Sequence, residues 1–212
     1  EKALGLDRAA IAAVYSVYML GYAIAAPFAG QLIDRLGARA CYGVGLTSLG
    51  VGYVAAGSVT SIWFYYVCVG LLGGIGAAAV GMVAASSLLS RWFTRKIMSI
   101  SSLPYAAVGA GMLLFPPATQ LLIDAHGWRS AHRILGFATL AVVPVLFLLP
   151  LGKFTAGSLE WRNARAAAKS AGTAWTPRTA LKTGAFWALF LAYFMTSVAA
   201  YSVLPHSVAY LV

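Results

Sequence analysis

Charge is what this chain has least of. Of its 212 residues, 9% are charged and 61% are apolar, where a soluble globular domain carries roughly 25% charged residues. So little charge cannot coat a water-exposed surface. Cysteine is scarce too. Cys41 and Cys68 stand in different apolar runs without metal-type spacing, and read as small buried apolar residues. The chain has no phosphate-binding glycine loop, no HExxH and no GxSxG, which removes the common nucleotide-binding, metalloprotease and hydrolase readings. No cofactor and no metal is expected. No acid, base or metal cluster supports an enzyme.

What the chain has instead is long apolar sequence. Six runs, residues 9–33, 40–60, 61–89, 97–123, 133–151 and 184–212, hold no Asp, Glu, Lys or Arg between their ends. About 20 mostly apolar residues suffice for a helix to span a bilayer. Backbone polar groups in hydrocarbon must be satisfied within the segment, so the runs should be helices. Barrel strands would alternate apolar and polar over about 10 residues, and these runs do not. The expected class is all-α, a polytopic membrane protein with six transmembrane helices and the lipid bilayer as its surroundings.

The net charge of +10 reads as membrane topology rather than as nucleic-acid binding. One set of alternate links carries Lys2, Arg8, Arg129 and Arg133, four cations. The other carries Arg35, Arg39, Arg91, Arg95, Lys96, Lys153, Arg162, Arg165, Lys169, Arg178 and Lys182, eleven cations. The richer set belongs in the cytoplasm, so residues 30–39, 90–96 and 152–183 are expected there. In the long link, LEWRNARAAAKSA is helix-prone, and Arg162, Arg165 and Lys169 share one helical face. That face suits an anionic leaflet or a solvated connector equally.

The link at residues 30–39 reads GQLIDRLGAR. Gly30 and Gly37 permit close approach and a tight reversal at a helix end, and Arg35 and Arg39 reach headgroup level. A carboxylate at the membrane edge, Asp34, is costly without a partner; local pairing with Arg35 or Arg39 is the simplest one. The stretch resembles the cytoplasmic loop signature of the major facilitator superfamily, roughly G-x-L-x-D-R-x-G-R-R/K. Gly30, Leu32, Asp34, Arg35, Gly37 and Arg39 fit, while Ala38 stands where a basic residue is common. The resemblance implies that Asp34 contacts the opposite half-bundle and latches the cytoplasmic side.

It also implies that the first run is helix 2, with helix 1 missing; Glu1 in place of an initiator Met agrees. The expected layout is residues 1–151 as an N-terminal half-bundle (helices 2 to 6), 152–183 as the inter-half linker, and 184–212 as helix 7, six helices of twelve. The missing helices of the same chain count among its partners.

Within the superfamily, Gly70 and Gly73 stand where drug and sugar carriers have the Arg and Gln of an R-x-x-Q-G pattern. RWFTRKIMSISSLPYAAVGAG, Pro116, Gly127-Trp128-Arg129 and LPHSVAYL resemble the monocarboxylate porters and their oxalate:formate antiporter-like relatives, though Ser99–Ser101 replaces small Ala or Gly residues. That branch implies a secondary transporter of a small organic anion in the plasma or inner membrane, with a coupled proton or counter-substrate. The alternatives are a sugar or drug carrier of the same superfamily, or a membrane sensor or scaffold.

The family's cavity lies between its halves near mid-depth. Tyr15, Tyr18 and Tyr22 fall within a roughly 60° arc at about 100° per residue. A phenol at lipid depth needs a partner for its hydroxyl. Tyr18, Tyr22, Tyr105, Tyr193, Ser197 and Tyr201 are therefore cavity candidates, beside the alternative of bonding to neighbouring helices. His206 is a proton-sensitive candidate or a solvated interfacial residue. Gly73, Ala77, Gly81 and Ala85 recur every four residues and are expected to serve helix packing; Gly109 and Gly111 are expected to do the same, beside the alternative of loosening a helix that must bend.

Overall fold

The computed structural model describes the backbone of residues 8–93, 97–171 and 177–210; the side chains of 1–12, 94–98, 169, 172–178 and 200–212 lie outside the described residues. Among the described residues every regular element is helical. They are α1 Arg8–Ala56, α2 Ile62–Tyr65, a π-helical segment Tyr66–Leu72, α3 Gly73–Val80, α4 Met82–Trp92, α5 Ile97–Leu148, α6 Leu151–Ala156, α7 Leu159–Ser170, α8 Pro177–Ala180 and α9 Gly184–Tyr210. The chain forms two compact units, Glu1–Arg162 and Asn163–Val212.

Ala13–Ala56, Ile62–Trp92 and Ser99–Leu148 are long and apolar enough to cross a membrane. The first and third are not single rods. α1 breaks at Gly37 (φ 87, ψ 170) and α5 at Gly127 (φ 77, ψ 157). The first unit thus holds five apolar arms: two in α1, the column α2–α4, and two in α5. These are the five runs expected before residue 152, and the sixth is helical in α9. The column is itself interrupted, by the π-helical turn and by the extended backbone of Gly81 (φ −78, ψ −167).

Small residues set how the arms pass one another. Gly70 lies against Val17, Gly74 against the backbone of Tyr18 and Tyr22, and Gly81 against the Tyr22 ring. These positions climb together, so the first arm of α1 runs parallel to the column. Gly76 lies against Gly45 and Leu49, and Gly52 against the Cys68 carbonyl, so the second arm runs the other way. Gly136 meets Val54 and Gly50, and Gly57 meets Arg133 and the Arg129 carbonyl. The second arm of α5 is therefore antiparallel to the second arm of α1.

The column is wedged between both arms of α1, and this extends the expected packing stripe, whose Gly73 and Gly81 lie against Tyr18 and Tyr22 of the first arm. Of Gly73, Ala77, Gly81 and Ala85, only Gly73 is buried, whereas Gly74, Gly76, Ala78 and Ala79 are buried as well. One four-residue stripe serves one neighbour, and a helix between two neighbours needs small residues on two faces. Gly109 and Gly111 depart from the packing expectation, since a Cβ at either would meet nothing within 4 Å.

The reversal at Gly37 needs glycine. Its φ and ψ fall in a region essentially closed to residues with a Cβ, at a cost of about 1–3 kcal/mol. A Cβ there would also sit 3.4 Å from Thr155 Cγ2, whereas one at Gly30 would meet nothing within 4 Å. Gly37→Ala in the full-length protein should lower the melting midpoint in detergent by an amount equivalent to about 1–3 kcal/mol. Gly30→Ala should leave it unmoved, and equal midpoints for the two variants would contradict this account.

Candidate functional site

The charges of GQLIDRLGAR gather at one end of the first unit with partners distant in sequence. Asp34 Oδ1 accepts from Arg91 Nη2 at 2.6 Å. Arg91, at the foot of α4, is buried with 4% exposure, while the Asp34 side chain is 47% exposed. Arg91 Nη1 also donates to the Thr155 carbonyl at 2.8 Å, and its guanidinium lies 5.4 Å from the Trp161 ring centre. A buried cation is tolerated when paired and hydrogen-bonded, and here three chain segments supply the partners.

The segment from α6 to Trp161 is fastened to the same end by further bonds. The Thr155 hydroxyl accepts from the Ala38 amide at 3.0 Å, just after the break at Gly37. Trp92 Nε1 donates to the Phe154 carbonyl at 2.7 Å, and the Ser158 amide to the Arg91 carbonyl at 2.9 Å. Arg39 Nη2 donates to the Leu149 carbonyl at 2.9 Å, with its guanidinium 6.0 Å from the Phe147 ring centre. Gly157, with φ 75, turns the chain between α6 and α7 directly beneath Arg91.

Toward the opposite end a cleft of about 760 Å³ opens between both arms of α1 and both arms of α5. Tyr18, Tyr53, Thr119, Gln120, His132 and Thr139 give it polar groups within mainly apolar walls. His132 Nδ1 lies 2.8 Å from the Trp128 carbonyl, which can only accept, so Nδ1 carries a proton. With the imidazole neutral, Nε2 then accepts from the Tyr65 hydroxyl 3.1 Å away. The Tyr53, Tyr65 and Trp128 rings surround this histidine with centroids 5.9–6.2 Å away.

An all-helical chain of paired apolar arms, reversed at glycines and tied at one end by an Asp–Arg pair, invites comparison with known transporters. Its sequence matches the Major Facilitator Superfamily over residues 1–212. The chain belongs to that superfamily. It is 38% identical over 128 residues to monocarboxylate transporter 11 of Homo sapiens, covering 60% of this chain and 27% of that protein. It is 30% identical over 147 residues to the gallate transporter of Pseudomonas putida, covering 69% and 32%. Monocarboxylate transporter 1 of Homo sapiens is 26% identical over 110 residues, covering 52% and 22%. The chain thus matches about a third or less of the length of each of these relatives. As a superfamily member with membrane-length apolar helices, it is an integral membrane protein of a transporter family.

Among the candidates named from sequence, Tyr18 faces the 760 Å³ cleft. It stacks on Tyr15, with ring centres 6.4 Å apart. Tyr22 instead lies against Gly81. Tyr105 borders a separate hollow of about 330 Å³ with Met82, Ser86 and Ser101. Tyr193 and Ser197 are exposed on α9 in the second unit. The side chains of Tyr201 and His206 lie outside the described residues. Around the superfamily loop, Gly37 makes the reversal, while Arg35 and Arg39 line a cleft of about 430 Å³ together with Asp34 and Thr155.

Sequence reasoning passed over Arg91, Thr155, Tyr53, Gln120 and His132. Arg91 was legible as a charge but counted only toward topology; its place at the end of the uncharged stretch 40–90 was the available signal. His132 stood just outside an apolar run, where histidine usually reads as solvated. Nothing in the sequence distinguished Thr155.

Proposed function

We propose that the whole protein is a secondary transporter of small organic anions that works by alternating access, with a proton or a counter-substrate as the coupled species. One observation carries the substrate class: relatives named for monocarboxylates and for gallate share a carboxylate among their substrates. The cleft chemistry supports it. Tyr18, Tyr53 and Gln120 bring hydroxyl and amide donors that suit an anionic oxygen. A volume of about 760 Å³ falls in the usual range for small-molecule sites, roughly 300–1,000 Å³. Tyr22, Tyr105, Tyr193, Ser197, Tyr201 and His206 stay in the proposal as further contacts made during the cycle. The end bearing Asp34, Arg91 and Thr155 is assigned to the cytoplasm of a plasma or inner membrane. There the Asp34–Arg91 pair holds the loop 30–39 in register for closure.

The test is uptake by the full-length protein in proteoliposomes. A labelled monocarboxylate should enter saturably and show counterflow, and its neutral amide should compete about tenfold less well or worse. Preferential uptake of a neutral sugar would sink the anion reading. Absence of saturable uptake for every solute class would sink transport itself and leave a sensor or scaffold.

A further inference from the structure

The end of the bundle that carries the loop 30–39 holds two adjoining hollows, and they differ in character. One, of about 590 Å³, is an apolar groove between the second arm of α1 and the second arm of α5, lined by Leu36, Gly43, Val44, Val143 and Phe147. Leu36, Val44 and Phe147 are exposed large hydrophobics. The other is the 430 Å³ cleft, polar at its rim, which includes Arg35, Gly152 and Thr155. Leu36 and Arg39 line both, so the Arg39 guanidinium stands where groove and cleft meet.

Arg39 is a cation with unused capacity. A guanidinium has five N–H groups. The only hydrogen bond Arg39 makes among the described residues is from Nη2 to the Leu149 carbonyl. Its Nε is buried without a partner, and no carboxylate pairs with it among the described residues. The acid in the cleft, Asp34, is taken by Arg91, so the local charge is positive. The superfamily assignment places these arms in a bilayer, with the charged end at headgroup level.

We infer that Arg39, with Arg35 beside it, forms a binding site for an anionic phospholipid whose phosphate sits on the guanidinium in the polar cleft and whose acyl chain lies in the groove between the two arms. Groove and cleft join at one cation, which matches a ligand with an anion at one end and a hydrocarbon chain at the other. A free phosphate would satisfy Arg39 but leave Leu36, Val44 and Phe147 uncovered. A zwitterionic lipid would fill the groove but bring its own cation to a positive site. Basic pockets between helices at a membrane's charged end are a known setting for lipid headgroups. The site is separate from the 760 Å³ cleft and does not depend on which solute is carried.

The experiment is native mass spectrometry of the delipidated full-length protein with phosphatidylglycerol or phosphatidylcholine added at equal concentration. Wild type should retain phosphatidylglycerol about fivefold more than phosphatidylcholine, the preference expected from one or two interfacial cations. Arg39→Gln should bring that ratio close to one. Gly43→Leu should weaken retention of both lipids. It lies in the groove, a Cβ there meets nothing within 4 Å, and the variant should fold even where Arg39→Gln does not. Excess inorganic phosphate should not displace the lipid. Equal retention of both lipids by wild type, or a preference that survives Arg39→Gln, would overturn the inference. So would unchanged retention in Gly43→Leu, or displacement by phosphate alone, which would mark a site for a soluble anion.

Discussion

Replacing Arg91 by leucine in the full-length protein should release the segment 151–161 from the bundle end and cut the transport rate about tenfold or more. The side chain is 4% exposed and holds Asp34, the Thr155 carbonyl and the Trp161 ring at once. Removing one partner of a fully buried pair costs about 3–5 kcal/mol. Asp34 is nearly half exposed and can be rehydrated, so a discounted figure of about 1–3 kcal/mol applies. At 1.4 kcal/mol per factor of ten, the detached population of the segment should rise roughly five- to hundredfold. Limited trypsin digestion in proteoliposomes reads this directly, because Lys153 lies within the docked stretch and Arg162 immediately follows it. Cleavage there should accelerate by about tenfold.

Asp34→Asn should act in the same direction through the other partner. It leaves the Arg91 cation buried, with the Thr155 carbonyl and the Trp161 ring still in place, so the segment should stay largely docked. The loss should fall on the transport rate instead, with expression largely kept. Arg91→Lys keeps the charge but not two separated N–H donors, and should lie between wild type and leucine. Unchanged digestion in Arg91→Leu would show that the segment is held without the Arg91 side chain, by bonds such as Ala38–Thr155, Trp92–Phe154 and the Ser158 amide to the backbone carbonyl of residue 91.

Gly74→Val should prevent recovery of folded protein. A Cβ at Gly74 would overlap the Tyr18 carbonyl and come within 2.9 Å of the Tyr22 amide nitrogen. Both are backbone atoms of the first arm of α1, which cannot rotate away as a flexible side chain can. The arm would have to separate from α3. Overpacking a close-packed site by one or a few methyl groups costs about 1–3 kcal/mol, and close approach of helices is a main source of their association in lipid. Even Gly74→Ala should lower the detergent melting midpoint. Gly111→Ala, on the cleft wall with nothing within 4 Å of its Cβ, should not. Monodisperse yield by size-exclusion chromatography, followed by a melting curve, separates the cases. A folded, stable Gly74→Val would mean that the first arm of α1 and the column are not in contact.

The apolar runs by themselves determined that the chain is helical and where its arms lie. In hydrocarbon only a helix satisfies the N–H and C=O groups within one segment, and runs without polar alternation do not suit barrel strands; both constraints are local. GQLIDRLGAR determined the superfamily, and Gly37 its reversal, because a left-handed backbone position admits little besides glycine. The alternate excess of Lys and Arg is the ground for expecting residues 30–39, 90–96 and 152–183 on one side. In the structure Asp34, Arg39, Arg91 and Thr155 meet at one end, while Ser58 and Val59 meet Arg129 and Arg133 at the other.

Tertiary structure alone decided which partners those charges take. Asp34 and Arg91 are 57 residues apart, and Ala38 and Thr155 are 117 apart. No periodicity within one helix can encode a pairing across three of them. It decided likewise that the column is gripped on two faces, so that Gly74 and Gly76 carry the contact together with Gly73 and Gly81 of the four-residue stripe. The same holds for the cleft. Tyr18 had been picked out by its arc on one helix, but Tyr53, Gln120 and His132 come from other arms. Only the packing of those arms against one another brings their polar groups to a common space.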